Sequence, residues 1–317
     1  MLFGRKKDDA RTVLIIDVES GSVGSALLRI SSQDAPKLFG EKRELLPVPV
    51  TLRGSALSHE VAAAAAHALH HAAEVASRIR LHPTLTDSGV VERVAIVLSP
   101  PWGRPNLAGG SPEFVDAMQK TLAHLVRSSV GEVPVAFYTS AGAAAYGTRA
   151  LVGTEPILLC VIGGEVTELL RMDEQGVVAH ATVPLGTHSL LRTLQSHGVM
   201  SEGESRSLLR LDYEGQAAKM REPFAAVQAH FGAHFADAAR DIMQGSTVQN
   251  IYTVGEQSAA EWFARALAQE ESVQELFPQG GAVRALRAHH FLPHLAAHAE
   301  VPDLRLSLAA LFVDNNH

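Results

Sequence analysis

The chain has 317 residues and a net charge of −7 at neutral pH, with 46% hydrophobic and 19% charged residues. This length allows one large domain or two modest ones, and the composition is that of a soluble globular protein. The negative charge argues against a nucleic-acid partner. Cys160 is the single cysteine, which excludes an intramolecular disulfide. Since no signal peptide and no apolar run of about 18 residues is visible, we expect a cytoplasmic protein without a membrane span.

The amino-terminal residues 1–11, MLFGRKKDDAR, leave two interpretations open. Leu2 and Phe3, followed by Arg5-Lys6-Lys7, are compatible with a weak contact to an anionic membrane or with docking on a partner. A solvated, frayed terminus explains the same residues.

A hairpin is predicted at Val13–Ile30, VLIIDVESGSVGSALLRI. An apolar run ends at Asp17, the turn-forming cluster Ser20-Gly21-Ser22 follows, and Val23–Ile30 resumes the apolar pattern. Gly21 lets the backbone approach a ligand closely, and the neighbouring N–H groups and hydroxyls can bind an anion. Asp17 is placed to hold a hydrated Mg²⁺ beside such an anion. A plain turn without a ligand is the alternative.

The rest of the first half alternates strands and helices. Trp102 and Phe114 are expected to be buried under the loop 102–110, with a role as interface anchors as the alternative. Small residues at Ala143–Ala145 suit either a hinge helix between two domains or a tightly packed core helix. The predicted elements are the strand Lys37–Val50, the helix Ser58–Arg80, the strand Val90–Ser99, the helix Pro112–Ser128, the strand Val133–Tyr138 and the helix Ser140–Arg149.

The second half repeats this outline. Pro156–Met172, PILLCVIGGEVTELLRM, again gives a strand, the Gly163-Gly164 turn and a second strand. Two such hairpins half a chain apart predict two related half-domains that face one ligand. The further predicted elements are the strand Gly176–Pro184, helices near Ser189–Ser196, Glu202–Leu211 and Ala217–Gln244, the strand Val248–Val254 and the helix Ser258–Gln269.

A helix predicted over Ala288–His298 would place three imidazoles four residues apart on one face. Such a face could bind a transition metal. However, Pro293 interrupts the helix and no cysteine or carboxylate completes the set, which argues against a metal site. The three residues are His290, His294 and His298.

Several stretches together resemble the actin-like ATPase superfamily, which includes actin, heat-shock ATPases and sugar kinases. The residues from Asp17 to Ser22 match its D-x-G-[ST]-G-x phosphate loop, with Glu19 in place of a glycine. Three more stretches follow in the superfamily's order: Tyr138–Tyr146 resembles the connecting helix, Ile251–Ala259 the adenosine-side turn, and Leu304–Phe312 the returning carboxy-terminal segment. Size and loop style are most similar to the bacterial cell-division actin homologue FtsA and the type IV pilus assembly protein PilM.

The resemblance implies a two-domain α/β fold of the actin-like, ribonuclease H-like kind. Each half would be a mixed sheet flanked by helices, with a nucleotide cleft between the halves. The implied boundaries are 1–152 for the first domain, with a small inserted subdomain near 100–130, then 153–303 for the second domain, and 304–317 for a segment that returns to the first.

The resemblance also implies a site for ATP and Mg²⁺, with Asp17 beside the metal. The implied nucleotide-binding residues are Asp17, Ser20, Gly21, Ser22, Gly163, Gly164, Glu165, Thr167, Gly255 and Glu256.

Several positions depart from the superfamily pattern. Val161 replaces the second-domain aspartate that helps to order Mg²⁺ and the attacking water, so one part of the catalytic apparatus is missing. Glu165 would repel a triphosphate unless it is paired or turned away. Gly24 stands where many relatives have a lysine, and Glu168 matches an acidic position.

We therefore expect a cytoplasmic actin-like scaffold of cell division or pilus assembly that binds ATP weakly, as a conformational ligand, with little or no hydrolysis. Its expected partners are other proteins of that assembly or further copies of itself. Membrane contact would be indirect or weak, through the amino terminus. Two alternatives stay open: a small-molecule phosphotransferase of the same fold, similar to sugar or acetate kinases, and a nucleotide-free pseudo-ATPase adaptor.

Overall fold

The computed structural model describes residues 10–48, 55–82, 89–107, 110–198, 201–213, 221–276, 281–299 and 301–316. The strands are β1 (Arg11–Glu19), β2 (Ser22–Ile30), β3 (Lys37–Leu45), β4 (Val91–Leu98), β5 (Gly103–Arg104), β6 (Glu113–Phe114), β7 (Val135–Thr139), β8 (Ile157–Ile162), β9 (Thr167–Asp173), β10 (Gly176–Val183), β11 (Asn250–Val254), β12 (Ala282–Ala285) and β13 (Ala296–Ala297). The helices are α1 (Ser55–Arg80), α2 (Asp116–Ser129), α3 (Ser140–Val152), α4 (Thr187–Gly198), α5 (Glu202–Tyr213), α6 (Arg221–Met243), α7 (Gln257–Gln269), α8 (Glu271–Gln274) and α9 (Leu304–Asn315).

The strands form two large sheets with the same internal order. The first sheet runs β13-β3-β2-β1-β4-β7, and the second runs β10-β9-β8-β11-β12. In each sheet the first three strands of the half pair antiparallel, and the next two add in parallel beside the first strand. The parallel additions need crossover connections, which the helices of each half supply. The predicted repetition of the first half by the second is confirmed.

A single core joins the two sheets. Residues of β1 alternate between two cores, with Val13 and Ile15 on the side shared by both halves and Leu14 and Ile16 on the outer side. This alternation is the period of a strand that is buried on both faces. On the shared side, α3 and α9 pack together with residues of both sheets. The small residues Ala143–Ala145 are buried there, so α3 is a core helix that also connects the halves.

Each half also has an outer core. Helices α1 and α2 cover the outer face of the first sheet, where the Ser25 hydroxyl donates to the Ala68 carbonyl oxygen at 3.0 Å. Helices α4, α6 and α7 contribute to the outer core of the second half. The layers therefore run from helices to sheet, to the central helices, to sheet and to helices again, as in an α/β protein whose sheets are covered on both faces.

The carboxy-terminal helix lies against the first half. Helix α9 contacts α3 and the strands β1, β2 and β3. The return begins before Leu304, because β13 already pairs with β3, with Ala296 opposite Lys37.

The region near 100–130 differs from an inserted subdomain. It contains the two-residue strands β5 and β6 and helix α2. Met118, Leu122 and Val126 of α2 lie in the same core as the first sheet, so this region shares the core of the half that carries it. Trp102 is 3% exposed, which confirms its predicted burial.

The helix predicted over Ala288–His298 is wrong. A 3-10 helix covers Ala288–Phe291, and β13 follows at Ala296–Ala297. The chain has to extend after Pro293 to pair with β3, so His290, His294 and His298 do not share one helical face. Among the described residues, no group of three metal-ligating side chains occurs.

Within the described part of the chain, none of the helices combines the length and apolar character needed to cross a membrane.

Packing of α3 on α9 depends on Gly147. A Cβ atom at this position would lie 2.3 Å from Leu308 Cδ2, and Leu308 is buried at 2% exposure, so its side chain has little room to move. We expect Gly147→Ala to lower the free energy of unfolding by about 1–3 kcal/mol, the usual effect of overpacking. Chemical denaturation measures this change.

Gly203→Ala is the matched control, because Gly203 lies in helix α5 and a Cβ atom added there would meet no other atom within 4 Å. It should leave stability unchanged or raise it by up to about 1 kcal/mol. Equal effects of the two substitutions would contradict the proposed contact.

Candidate functional site

Two glycine turns, one from each half, meet at the centre of the molecule. Ser20 and Gly21 form the turn between β1 and β2, and residues 163–166 connect β8 to β9. A Cβ atom on Gly164 would lie 2.5 Å from both Cα and N of Gly21. The turns therefore face each other, as predicted, and their backbones are in direct contact.

Glu19 joins the two turns. Its Oε2 accepts hydrogen bonds from the backbone N–H groups of Gly21, at 2.8 Å, and of Gly164, at 2.7 Å. Its Oε1 accepts from the Ser22 hydroxyl at 2.6 Å. Such convergent donors are the kind that bind an anion at a glycine turn. Here the anion is a carboxylate of the chain itself.

Ser20 makes a second link between the turns. Its hydroxyl oxygen accepts a hydrogen bond from the backbone N–H of Glu165 at 2.8 Å. Away from the turns, the Val48 N–H in the first half donates to Glu202 Oε2 in the second half at 2.9 Å. The cleft is therefore closed by contacts at more than one point.

Asp17 lies between two arginines. Arg305 Nε and Nη2 bind its two carboxylate oxygens at 2.8 and 3.2 Å, and Arg43 Nη2 binds Oδ2 at 2.8 Å. Burial raises the pKa of Asp17, but Arg305 and then Arg43 outweigh burial and hold the pKa at about 2. The resulting stabilisation is present above the ordinary pKa of 3.8 and is lost as the pH falls through about 2.

Gly24 makes room for one of these arginines. A Cβ atom there would lie 2.7 Å from Arg43 Nη2, so a side chain would displace the guanidinium.

Arg43 also binds Asp303, with its Nε 2.5 Å from Oδ2, and donates to the Ser22 hydroxyl oxygen at 2.7 Å. Asp303 is in turn the N-cap of α9 and accepts from the Leu306 N–H at 2.9 Å.

In the second turn, the carboxylate of Glu165 is paired with two cationic or hydrogen-bonding side chains. Arg192 binds it through two parallel hydrogen bonds of 2.7 and 2.6 Å, and His188 Nδ1 lies 3.2 Å from its Oε1. Burial raises the pKa of Glu165, but the hydrogen bonds from Arg192 and His188 lower it to about 2. The repulsion expected between this carboxylate and an anion is thus relieved by pairing.

The other predicted positions in the second half have structural contacts. Thr167 donates its hydroxyl hydrogen to the Leu185 carbonyl oxygen at 2.8 Å. Val161 is buried in the shared core. Glu168 accepts a short hydrogen bond from the Ser140 hydroxyl and lies 3.2 Å from His180 Nε2, so it connects β9 to the first turn of α3.

The turn after β11 has a similar structural role. A Cβ atom on Gly255 would lie 2.9 Å from the Ile162 carbonyl oxygen, so the close approach of these strands requires a glycine. Glu256 caps α7, accepting from the Ser258 N–H at 3.2 Å. Both residues line a cavity in the cleft.

Comparison with known proteins was made at three levels. No protein-family model matches the sequence, and a search of curated proteins also finds no match. Among solved structures, the PilM-PilN type IV pilus biogenesis complex gives a TM-score of 0.62 at 13% identity, covering 95% of this chain and 98% of that one. The ethanolamine utilization protein EutJ from Carboxydothermus hydrogenoformans gives 0.57 at 14% identity, covering 96% and 90%.

The chain has the actin-like ATPase fold. The superpositions extend over nearly the whole length of both proteins, and the two sheets repeat one order, as the sequence resemblance predicts. At identities this low, the similarity shows the fold and nothing finer. A ROK family protein from Streptococcus pneumoniae TIGR4 in complex with sucrose also matches, with a TM-score of 0.47 at 13% identity, covering 96% and 99%.

The actin-like cleft keeps a cavity of roughly 340 Å³ beside the two turns. It is bounded by the turns, by β3, by the segment before α9 and by Gly255 and Glu256. Three buried polar atoms of its lining residues have no hydrogen-bond partner within the described part of the protein: Glu41 Oε2, Arg206 Nη2 and Arg305 Nη1.

The residues of this cleft do not fit Mg²⁺ and a triphosphate in the arrangement described. Both oxygens of Asp17 are bound by guanidinium groups, which leaves a hydrated cation no comparable position. The N–H groups of Gly21 and Gly164 already donate to Glu19. A polyphosphate there would also lie beside the carboxylate of Glu19, at a repulsive cost of a few kcal/mol.

Sequence reasoning missed the arginines that bind Asp17. Arg43 and Arg305 are 26 and 288 residues away from Asp17 in the chain. One signal was present in the sequence: Arg305 is a lone cation in the apolar stretch Leu304–Phe312, and such a residue needs a buried partner. Arg192 and His188, which pair with Glu165, gave no comparable signal.

Glu41 makes the stability of the protein depend on pH. Burial, and to a lesser degree the charge of Asp303, raises the pKa of Glu41 from 4.5 to about 7. The folded chain therefore keeps a proton that the unfolded chain releases between these values, so stability falls as the pH rises from 4.5 to 7. Because Glu41 is partly exposed, we expect a loss of about 1–2 kcal/mol.

Glu41→Gln should remove this part of the pH dependence. Chemical denaturation at pH 5 and pH 8 should show a smaller difference for the variant than for the wild type. Glu44→Gln, which removes a carboxylate from the same strand, is the control and should keep the wild-type difference. Wild-type behaviour of Glu41→Gln would contradict the assignment.

Proposed function

We propose that this chain is a non-hydrolysing actin-like scaffold of a pilus-type assembly. In it, Glu19 takes the position of a nucleotide phosphate and holds the two halves together without ATP. The observation that carries the proposal is the set of hydrogen bonds from Gly21, Gly164 and Ser22 to the Glu19 carboxylate. Of the alternatives drawn from the sequence, this corresponds to the nucleotide-free adaptor.

The electrostatics of the cleft support a structural role. Asp17, Arg43, Arg305 and Asp303 form a connected network of two carboxylates and two guanidinium groups. The network ties β1 and β3 to the start of α9. Removing one partner of such a buried set leaves an uncompensated charge, which costs about 3–5 kcal/mol. A cleft that exchanged Mg²⁺ and nucleotide would have to break these bonds at each cycle.

Protein partners are proposed from the fold relationship. The superposition over nearly the full length with a chain of the PilM-PilN type IV pilus biogenesis complex supports a partner protein of a pilus assembly. On this proposal the scaffold acts on the cytoplasmic side. Its interactions would then be independent of nucleotide, because closure of the halves does not require one.

The phosphotransferase alternative has one supporting feature. Glu41 lines the cavity with a free Oε2 and a pKa of about 7, which are properties of a general base. However, the backbone donors that would hold a phosphoryl group are bound to Glu19. We therefore favour the scaffold.

Thermal denaturation with and without Mg-ATP tests the proposal. We expect millimolar Mg-ATP to leave the wild-type melting temperature unchanged, because only a ligand that binds the folded state raises it.

Glu19→Gly removes the acceptor of three hydrogen bonds and should lower the free energy of unfolding by about 2–4 kcal/mol. Inorganic phosphate should restore part of that loss, since the vacated N–H groups can bind an anion.

Glu44→Gln is the control for loss of a negative charge and should respond to neither ligand. Glu19→Gln, which keeps the shape of the side chain, covers the case in which Glu19→Gly does not fold. A clear rise in the wild-type melting temperature with Mg-ATP would contradict the proposal.

A further inference from the structure

The two large sheets differ at one edge. In the first sheet the third strand of the half, β3, pairs on its outer side with β13. The equivalent strand of the second sheet, β10, pairs with β9 alone and lies at the end of the order β10-β9-β8-β11-β12. Within the described part of the chain, β10 is therefore an edge strand, whereas its counterpart in the first half has a neighbour on both sides.

Strand β10 lacks the residues that usually protect an exposed edge. Edge strands of soluble proteins commonly carry charged side chains, above all lysine, or proline. The sequence of β10, GVVAHATV, contains no Asp, Glu, Lys, Arg or Pro. A bulge interrupts only its beginning, because the register on β9 shifts between Val177 and Ala179. The regular part, residues 179–183, is thus an edge without these protective residues.

The pattern of the ladder shows which backbone groups of β10 are used within the sheet. The Gly163 N–H donates to the Val166 carbonyl oxygen at 2.9 Å, which makes these two residues a hydrogen-bonded pair at the start of β8 and β9. Hydrogen-bonded and non-hydrogen-bonded pairs alternate along antiparallel strands. Following the register from β8 through β9 to β10 gives the residues of β10 that bond to β9. They are Ala179, Ala181 and Val183.

His180 and Thr182 consequently direct their N–H and C=O groups away from the sheet. No backbone hydrogen bond among the described residues uses these groups. Thr182 is exposed, and His180 is partly buried with its ring 3.2 Å from Glu168. Free backbone donors and acceptors that recur at every second residue are the groups that a further strand binds.

We propose that β10 pairs with β10 of a second copy of this chain, antiparallel, across a two-fold axis at Ala181. In this register His180 lies opposite Thr182 of the second copy, so the outward-facing groups of both residues are bonded. Ala181 lies opposite its own counterpart in a non-hydrogen-bonded pair. The Cα atoms of such a pair are only about 4.5 Å apart, which suits a small side chain.

The distribution of charge favours a second copy as the occupant. With a net charge of −7, two copies of the chain repel each other over most of their surfaces. Strand β10 carries no carboxylate or permanent cation, and its one titratable side chain, His180, faces Thr182 rather than another histidine. No like charges therefore lie directly opposite each other across the pair. The pairing joins the two five-stranded sheets into one continuous sheet.

Sedimentation velocity of the full chain, from micromolar to millimolar concentration, tests the proposal. We expect a monomer–dimer equilibrium without larger species, because a two-fold interface closes on itself. Thr182→Pro should weaken dimerisation at least about tenfold, because proline removes an outward-facing N–H while an edge position tolerates it in the monomer. Thr182→Val, which keeps the N–H, is the matched control and should dimerise as the wild type does.

Cysteine crosslinking tests the register. Ala181→Cys should form an intermolecular disulfide under mild oxidation, since directly opposite Cβ atoms lie about 4.5–5.5 Å apart. Thr182→Cys should crosslink much more slowly, because its own counterpart is diagonal to it, at about 7–8 Å. The native Cys160 is buried, and burial raises the pKa of its thiol, so it does not compete.

Three results would each overturn the proposal: a monomer at every concentration, equal dimerisation of Thr182→Pro and Thr182→Val, or equal crosslinking rates at positions 181 and 182. The crosslinking comparison introduces no proline into β10. A folding defect of Thr182→Pro therefore leaves the test intact.

Discussion

The carboxylate of Glu19 is the interaction on which the arrangement of the two halves depends. It accepts the N–H groups of one glycine turn from each half, so a single side chain supplies the negative charge that both turns are built to bind. A backbone N–H buried without an acceptor is costly, and the two glycine backbones lie too close together to admit water between them. The turns are therefore stable in contact only because an acceptor is supplied from within the chain.

Around this contact, each charged group of the two turns has an internal partner. Asp17 is bound by Arg305 and Arg43, and Glu165 is bound by Arg192. These pairs connect the turns to α9, to β3 and to α4, which are elements from different parts of the chain. Each pair fixes one turn within its own half, and the two turns are linked to each other through Glu19 and Ser20.

Much of the fold could be predicted from local sequence, because strands, turns and small-residue helices have local signatures. Both hairpin turns were predicted at the glycines where they lie, although Ser22 belongs to β2 and the second turn spans residues 163–166, and the repetition of one half by the other followed from their spacing. The closure of the site was not predictable in the same way. Whether Glu19 faces a ligand or replaces one depends on Gly164, which lies 145 residues away, and the role of Asp17 depends on Arg305, 288 residues away. The error at Ala288–His298 has a related origin, because pairing of β13 with β3 overrides the local helical spacing of the histidines.

Hydrogen exchange at the backbone amide of Gly164 tests the central claim most directly. If Glu19 supplies the anion, this amide exchanges slowly in the nucleotide-free protein, and saturating Mg-ATP leaves its rate unchanged. Fast exchange in the free protein that becomes slow when Mg-ATP is added would show that the turn binds a phosphate instead, and would contradict the account.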